Sequence, residues 1–176
     1  MRWWAAGVIA VFLPMLLEWR RSVRHERQLR AGGAVEPAGD VWPLMSAAYP
    51  SCFAALAVEG WVRGTPAAPW LPIGALVFVV AKTLKYWAIA TLGERWTFRV
   101  LVLPAAPLVR RGPYRWLRHP NYLGVCGELL GAWAWFGAWL AGPMATAAFV
   151  ALMWRRVRIE DRALHAGSLP RPGTVP

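Results

Sequence analysis

Apolar residues run in five blocks, roughly 3–17, 42–61, 69–92, 121–141 and 143–157, and most charged positions lie between them. None of the blocks alternates with period two. Each reads as a helix, and several approach the ~20 apolar residues needed to cross a bilayer. The pattern predicts an all-α, polytopic integral membrane protein with about five transmembrane helices. Gly142-Pro143, between the last two blocks, reads as a tight turn closing a C-terminal helical hairpin. Pro104, Pro107 and Pro113 break the polar stretch 93–120, so it cannot be one helix. Arg118-His119-Pro120-Asn121 has the form of a helix start, with Pro at the first turn. Residues 1–166 are expected to form one membrane-embedded domain. Within it, 1–92 supply three spans and 93–166 a site loop plus the hairpin. The Pro-rich 167–176 is expected to be disordered.

Composition sharpens this picture. The chain is 57% hydrophobic and 16% charged, with 13 Trp, whereas soluble domains are about 25% charged. The net charge of +11 would suggest nucleic acid in a soluble protein. Here the arginines sit in short segments between apolar blocks, which points to membrane lipids as partner and away from nucleic acid. The stretches 18–41, 93–120 and the tail carry sixteen arginines, against Arg2 and Arg63 on the other side. The positive-inside rule then predicts N-out/C-in, with the arginine-rich face in the cytoplasm, in a bacterial inner membrane. Lys82 and Lys85 lie inside the third block, where snorkelling toward the interface is the expected behaviour. Cys52 and Cys126 have neither number nor spacing for a metal site or disulfide framework and read as small core residues. The first block passes into Glu18-Trp19-Arg20-Arg21 without a small-residue cleavage site, so it is expected to be retained.

The densest chemistry lies in 111–128, where three arginines, a histidine, two tyrosines and Glu128 open into an apolar helix. Ionisable groups at that depth are costly unless paired and so mark a functional site. The hairpin should bring Glu160 and Asp161 beside His119 and Tyr122, with Tyr114, Arg118 and Asn121 on the same side. Arg156 and Glu160 are four apart and share a helix face. There is no P-loop, no GxGxxG, no HExxH and no Ser/His/Asp elbow. Acids, aromatic rings and arginines near lipid suit a charged cofactor meeting an amphiphilic substrate.

Gly112-Pro113-Tyr114, Arg118-His119-Pro120-Asn121-Tyr122-Leu123-Gly124 and Glu160-Asp161 together resemble the isoprenylcysteine carboxyl methyltransferase family. Glu18-Trp19-Arg20-Arg21, Arg30-Ala31-Gly32-Gly33 and Leu92-Gly93-Glu94-Arg95-Trp96-Thr97 are similar to a bacterial branch that includes alkylpyrone and alkylresorcinol O-methyltransferases. The resemblance spans about 10–165 and implies an S-adenosylmethionine-dependent O-methyltransferase. Its lipophilic acceptor, a prenylcysteine-like carboxylate or a phenolic or alkylpyrone lipid, would enter from the bilayer. Carried over by position, Tyr114, Arg118, His119, Tyr122 and Glu160 would bind cofactor, and Arg158 and Glu160 would be catalytic. Glu128, Glu94 and Arg156 would serve the substrate. No metal is implied. A sterol-type NADPH reductase shares the Arg-His-Pro block, and a non-catalytic lipid-binding scaffold would also keep the fold. Both stand as alternatives to the methyltransferase.

Overall fold

The computed structural model describes residues 2–64, 70–104 and 106–167. Among these residues the chain is all-helical, with no strand. Five α-helices follow in order: α1 (Arg2–Ala31), α2 (Trp42–Arg63), α3 (Trp70–Leu92), α4 (Pro120–Phe136) and α5 (Ala141–Gly167). Short 3-10 turns at Gly93–Arg95 and Gly112–Arg115 punctuate the long connection before α4. α1 and α3 are long and apolar enough to cross a membrane. The expected disorder of 168–176 lies outside the described residues.

α2 and α3 match their apolar blocks closely, but α1 and α5 do not stop where hydropathy does. α1 continues for 14 residues past position 17, through Arg20, Arg21, Arg24, Arg27 and Arg30. Its 30 residues make a rod about 45 Å long, well beyond a ~30 Å hydrocarbon core. Arg, Glu, Gln and Leu are good helix formers in water, so leaving lipid does not end the helix. The hairpin turn also sits elsewhere than expected. α4 ends at Gly137, which takes the left-handed conformation at φ 66°, and the chain reverses over 137–140. Gly142-Pro143 instead lie in the first turn of α5, where a missing proline N–H costs no hydrogen bond. Glu59 of α2 accepts from the backbone N–H of Leu140 (3.0 Å) and Ala141 (2.5 Å), satisfying donors at the start of α5.

α3 and α4 make the most extensive helix pair, and missing side chains let them approach. A Cβ at Gly74 would lie 2.2 Å from the Trp135 backbone nitrogen, and one at Gly131 2.5 Å from that of Phe78. Small residues at such contacts are the usual means of close packing in lipid. Phe53, Leu56, Phe78, Leu129 and Phe136 fill the core. On the arginine-rich side two connections pair through Val35 and Val102, which exchange backbone hydrogen bonds of 2.9 and 3.0 Å. Glu36 ties the same pair through Arg30 and Arg99.

Lys82 and Lys85 do not snorkel. Lys85 is 1% exposed and its ammonium reaches Glu18 Oε2 (2.6 Å), Tyr49 Oη (3.1 Å) and Glu128 Oε2 (3.4 Å). Lys82 pairs with Glu128 Oε1 (2.9 Å) and Glu18 Oε1 (3.4 Å). The carboxylates come from α1 and α4, and the Tyr49 hydroxyl of α2 donates to Glu128. Snorkelling is unnecessary when partners are supplied inside the bundle.

Candidate active site

The helix start at Pro120 fixes the site. His119 precedes it and Pro120 occupies the first turn, so Asn121 and Tyr122 leave the loop on the bundle-facing side of α4. The hairpin then returns α5 alongside. Tyr122 donates to Glu160 Oε2 at 2.6 Å, and His119 Nε2 donates to Asp161 Oδ1 at 3.1 Å. The His119 and Tyr122 rings lie 5.5 Å apart. These contacts join the two blocks that the sequence placed together.

Arg156 is buried one turn before Glu160. It does not bond Glu160 directly; the Tyr122 hydroxyl stands between them, accepting from Arg156 Nε at 2.9 Å. Nη1 reaches Asp40 Oδ1 (3.4 Å) and Met45 Sδ (3.9 Å), and Nη2 donates to the Phe98 carbonyl. Four of the five guanidinium N–H groups are thus directed at protein atoms. Asp40 is buried too and accepts from the Val100 and Trp42 backbone N–H groups (3.1 and 3.2 Å). Nothing in the motif pattern marks Asp40, although its place just before a Trp-Pro helix start is a capping signal.

Two cavities share residues here. The more polar of the two, of about 750 Å³, carries Tyr114, Arg118, His119, Asn121, Tyr122, Glu160 and Asp161 with nearby arginines, on a wall that is otherwise largely apolar through residues such as Leu29, Val100, Leu103, Leu108 and Leu117. An apolar one of about 320 Å³ lies between α1, α2 and α5, lined by Leu16, Trp19, Trp42, Met45, Val125 and Phe149 among others. Thr97, Asn121 and Tyr122 line both. Among the described residues, Asn121 Oδ1 is buried with no hydrogen-bond partner. Burial, with the nearby Glu160 carboxylate, pushes the Tyr114 phenol far above its usual range.

The other sequence candidates lie apart. Arg158 is exposed, with its guanidinium carbon 4.1 Å from the centre of the Trp154 ring, and lines neither cavity. Glu94 is exposed on its 3-10 turn and also outside both. Glu128 belongs to the lysine network and reaches the apolar cavity only through Tyr49 and Lys85, which line it.

The residues from Tyr114 to Tyr122 and from Arg156 to Asp161 fall within a matched segment, whereas Asp40 and Met45 precede it. The model of the isoprenylcysteine carboxyl methyltransferase family matches residues 73–166. The chain belongs to that family. Relatives agree in span. An uncharacterized protein of Bacillus subtilis (strain 168), YpbQ, is 31% identical over 147 residues, covering 83% of this chain and 87% of its own. An uncharacterized protein of Haemophilus influenzae (strain ATCC 51907 / DSM 11121 / KW20 / Rd) is 26% identical over 144 residues, covering 81% and 84%. A probable protein-S-isoprenylcysteine O-methyltransferase of Oryza sativa subsp. indica is 27% identical over 85 residues, covering 47% and 42%. No solved structure matches. Family membership and the membrane-spanning helices together make this an integral membrane protein of the methyltransferase class.

Proposed function

We propose that this methyltransferase takes S-adenosylmethionine in the polar cavity and O-methylates a lipophilic acceptor held in the apolar one. The observation carrying the reading is that Thr97, Asn121 and Tyr122 line both cavities. A charged, water-soluble reactant and an apolar one would meet there, and holding two reactants in register can supply several kcal/mol of a displacement barrier.

The residues fit the cofactor. Asn121 Oδ1, buried and unpartnered, needs a donor that a ligand would bring. The Glu160 and Asp161 carboxylates and the rings of Tyr114, His119 and Tyr122 suit a cation. When bound, the cofactor supplies a methyl group on a positively charged sulfur.

On the acceptor side, two cations line the apolar cavity, Arg156 and Lys85. Both are spent inside the protein: Arg156 on Tyr122, Asp40, Met45 and Phe98, Lys85 on Glu18, Tyr49 and Glu128. A carboxylate buried there would lack a free counter-charge, which is costly. A neutral hydroxyl, as in a phenolic or alkylpyrone lipid, fits better. Its proton would pass to Tyr122 Oη while the Tyr122 proton moves to Glu160, leaving the acceptor oxygen to take the methyl group that a bound cofactor would supply as it becomes a neutral thioether. Arg156 Nε, already on Tyr122, steadies the charge in transit. Exposed Leu16 and Trp19 at the α1 side of the apolar cavity give a lipid a lateral way in. The apolar blocks and the arginine distribution support five spans, N-out/C-in, with the site toward the cytoplasm of a bacterial inner membrane.

The test is methyl transfer from labelled S-adenosylmethionine by the full chain in nanodiscs, to a 4-alkylphenol and to an S-farnesyl cysteine carboxylate. Transfer to the phenol, lost in Glu160→Gln, is expected. Transfer only to the carboxylate would overturn the acceptor assignment, and transfer to neither, with no cofactor binding, would overturn the function.

A further inference from the structure

The apolar cavity has a depth, and its inner end differs from its sides. Along the helices its lining runs from Trp19, Phe98, Tyr122 and Arg156 on the arginine-rich side to Phe12, Tyr49, Pro50, Lys85 and Phe149 further into the bundle, which we take as its outer and inner ends. Phe149 and Arg156 are seven residues apart on one helix, as are Phe12 and Trp19 on another, a rise of about 10 Å. The side walls are apolar helix faces. At the inner end two of the lining groups, Tyr49 and Lys85, belong to the buried ion network.

That end is stiff and chemically hostile to hydrocarbon. Tyr49 donates to Glu128 and accepts from Lys85 at 3.1 Å, and its ring lies 5.3 Å from Phe149 and 5.1 Å from Phe53. Lys85 is held in turn by Glu18 at 2.6 Å. Side chains anchored from α1, α2, α3 and α4 together cannot swing aside without breaking buried charge pairs. A hydrocarbon chain pushed further would have to part Lys85 from its carboxylates, leaving ions in apolar surroundings.

Building on the acceptor reading above, we propose that Tyr49, backed by Phe149 and fixed by the Lys85–Glu128 network, is the end wall that limits the chain length the apolar cavity accepts. Tyr49 is a specificity-determining residue, and Glu128 acts through it as a positioning residue. This accounts for an acidic residue inside α4 that lines neither cavity. The wall selects by exclusion: moving a chain from bilayer to cavity exchanges one apolar surrounding for another, so extra methylenes add nothing once they no longer fit.

The test uses 4-alkylphenols with butyl, octyl, dodecyl and hexadecyl chains. Binding to the full chain in nanodiscs, saturated with S-adenosylhomocysteine, is normalised to each probe's partition into protein-free nanodiscs. Normalised affinity should be highest at butyl and fall by roughly tenfold or more in the longer probes, since a phenol ring with an extended octyl chain already exceeds a depth of about 10 Å. Tyr49→Ala should move the fall to a longer probe. Phe149→Ala opens the same end without touching the ion network and should do so too, which covers a Tyr49 variant that fails to fold. Affinity independent of chain length in the wild type, or a length profile unchanged in Phe149→Ala, would overturn the wall. The same length profile without methyl transfer to any probe leaves the wall standing and sinks the methyltransferase reading; a flat profile with transfer does the reverse.

Discussion

Tyr122 and Glu160 are 38 residues apart in sequence and share a hydrogen bond of 2.6 Å, with the same phenol oxygen accepting from Arg156. A tyrosine between a buried arginine and a carboxylate is placed to move a proton. Asn121 and Tyr122 line both the polar and the apolar cavity.

Glu160→Gln keeps the shape of the carboxylate and removes its basicity. Methyl transfer to a hydroxyl acceptor should fall by roughly 100-fold or more, the scale of one positioned proton acceptor, while the thermal midpoint in detergent barely moves. Tyr122→Phe should behave alike. Full turnover in both, with a demonstrated acceptor, would remove them from the reaction.

Arg156 and Arg158 should separate cleanly. Arg156→Lys loses the planar fork that serves Tyr122, Asp40 and Phe98 at once, and turnover should drop by roughly tenfold or more, the scale of one charge-assisted hydrogen bond. Arg158→Lys only alters an exposed contact with Trp154 and should leave turnover within about twofold. Parallel kinetics of the two variants decide the point, and the reverse order would return Arg158 to the site.

Removing one member of the buried ion network leaves a charge without a counter-charge. Lys85→Met should cost about 3–5 kcal/mol, and Lys85→Met with Glu128→Gln, which restores neutrality, should recover part of it. Thermal unfolding of the single and double variants measures this. A double variant no better than the single would show that geometry, not charge, is what the network protects.

Glu36 gives the stability a pH signature. Burial alone would raise its carboxyl, but Arg30 and Arg99 outweigh burial and hold it below the ordinary 4.5. A depressed folded-state pKa contributes stability that is present above 4.5 and drains away as pH falls through the lower folded value. Glu36→Gln should therefore lower the neutral plateau slightly and flatten the acid limb of a stability-against-pH curve. An acid limb of unchanged slope would contradict this.

Gly131→Ala inserts a Cβ 2.5 Å from the Phe78 backbone nitrogen. Backbone cannot yield as a side-chain tip can, so the loss should be about 1–3 kcal/mol. Gly39→Ala, which meets nothing within 4 Å but sits at φ 81°, should lose stability through backbone strain alone. Melting curves of the two variants, compared with wild type, test whether packing or strain dominates; an unshifted Gly131→Ala would argue against the tight α3–α4 contact.

Much of this was legible in sequence because it is local or follows from one reversal of the chain. The apolar blocks gave five helices, Pro120 gave the start of α4, and a hairpin sufficed to put Glu160 and Asp161 against Tyr122 and His119. What escaped was non-local or depended on a choice between near-equal signals. The fate of Lys82 and Lys85 hinges on Glu18, more than sixty positions away, and no periodicity in α3 announces it. Arg156 and Arg158 differ by two residues, so they point to different sides of α5, and only packing tells which side is buried. Gly142-Pro143 carries a strong turn signal, yet Gly137 makes the turn, because proline is equally at home in a helix's first turn.

The buried ion network also bears on how the chain is made. α3 carries two lysines and α4 a glutamate, each adding about 2.5–3.5 kcal/mol at a bilayer centre when alone. α1, with Glu18, emerges from the ribosome before α3, so it holds a counter-charge when α3 arrives. Biogenesis would then favour α1 waiting beside the insertion machinery until α3 can pair with it, with α4 closing the set. In a translation-arrest series, Glu18→Gln should reduce insertion of α3 while leaving α2 unaffected; equal α3 insertion would uncouple assembly from the network.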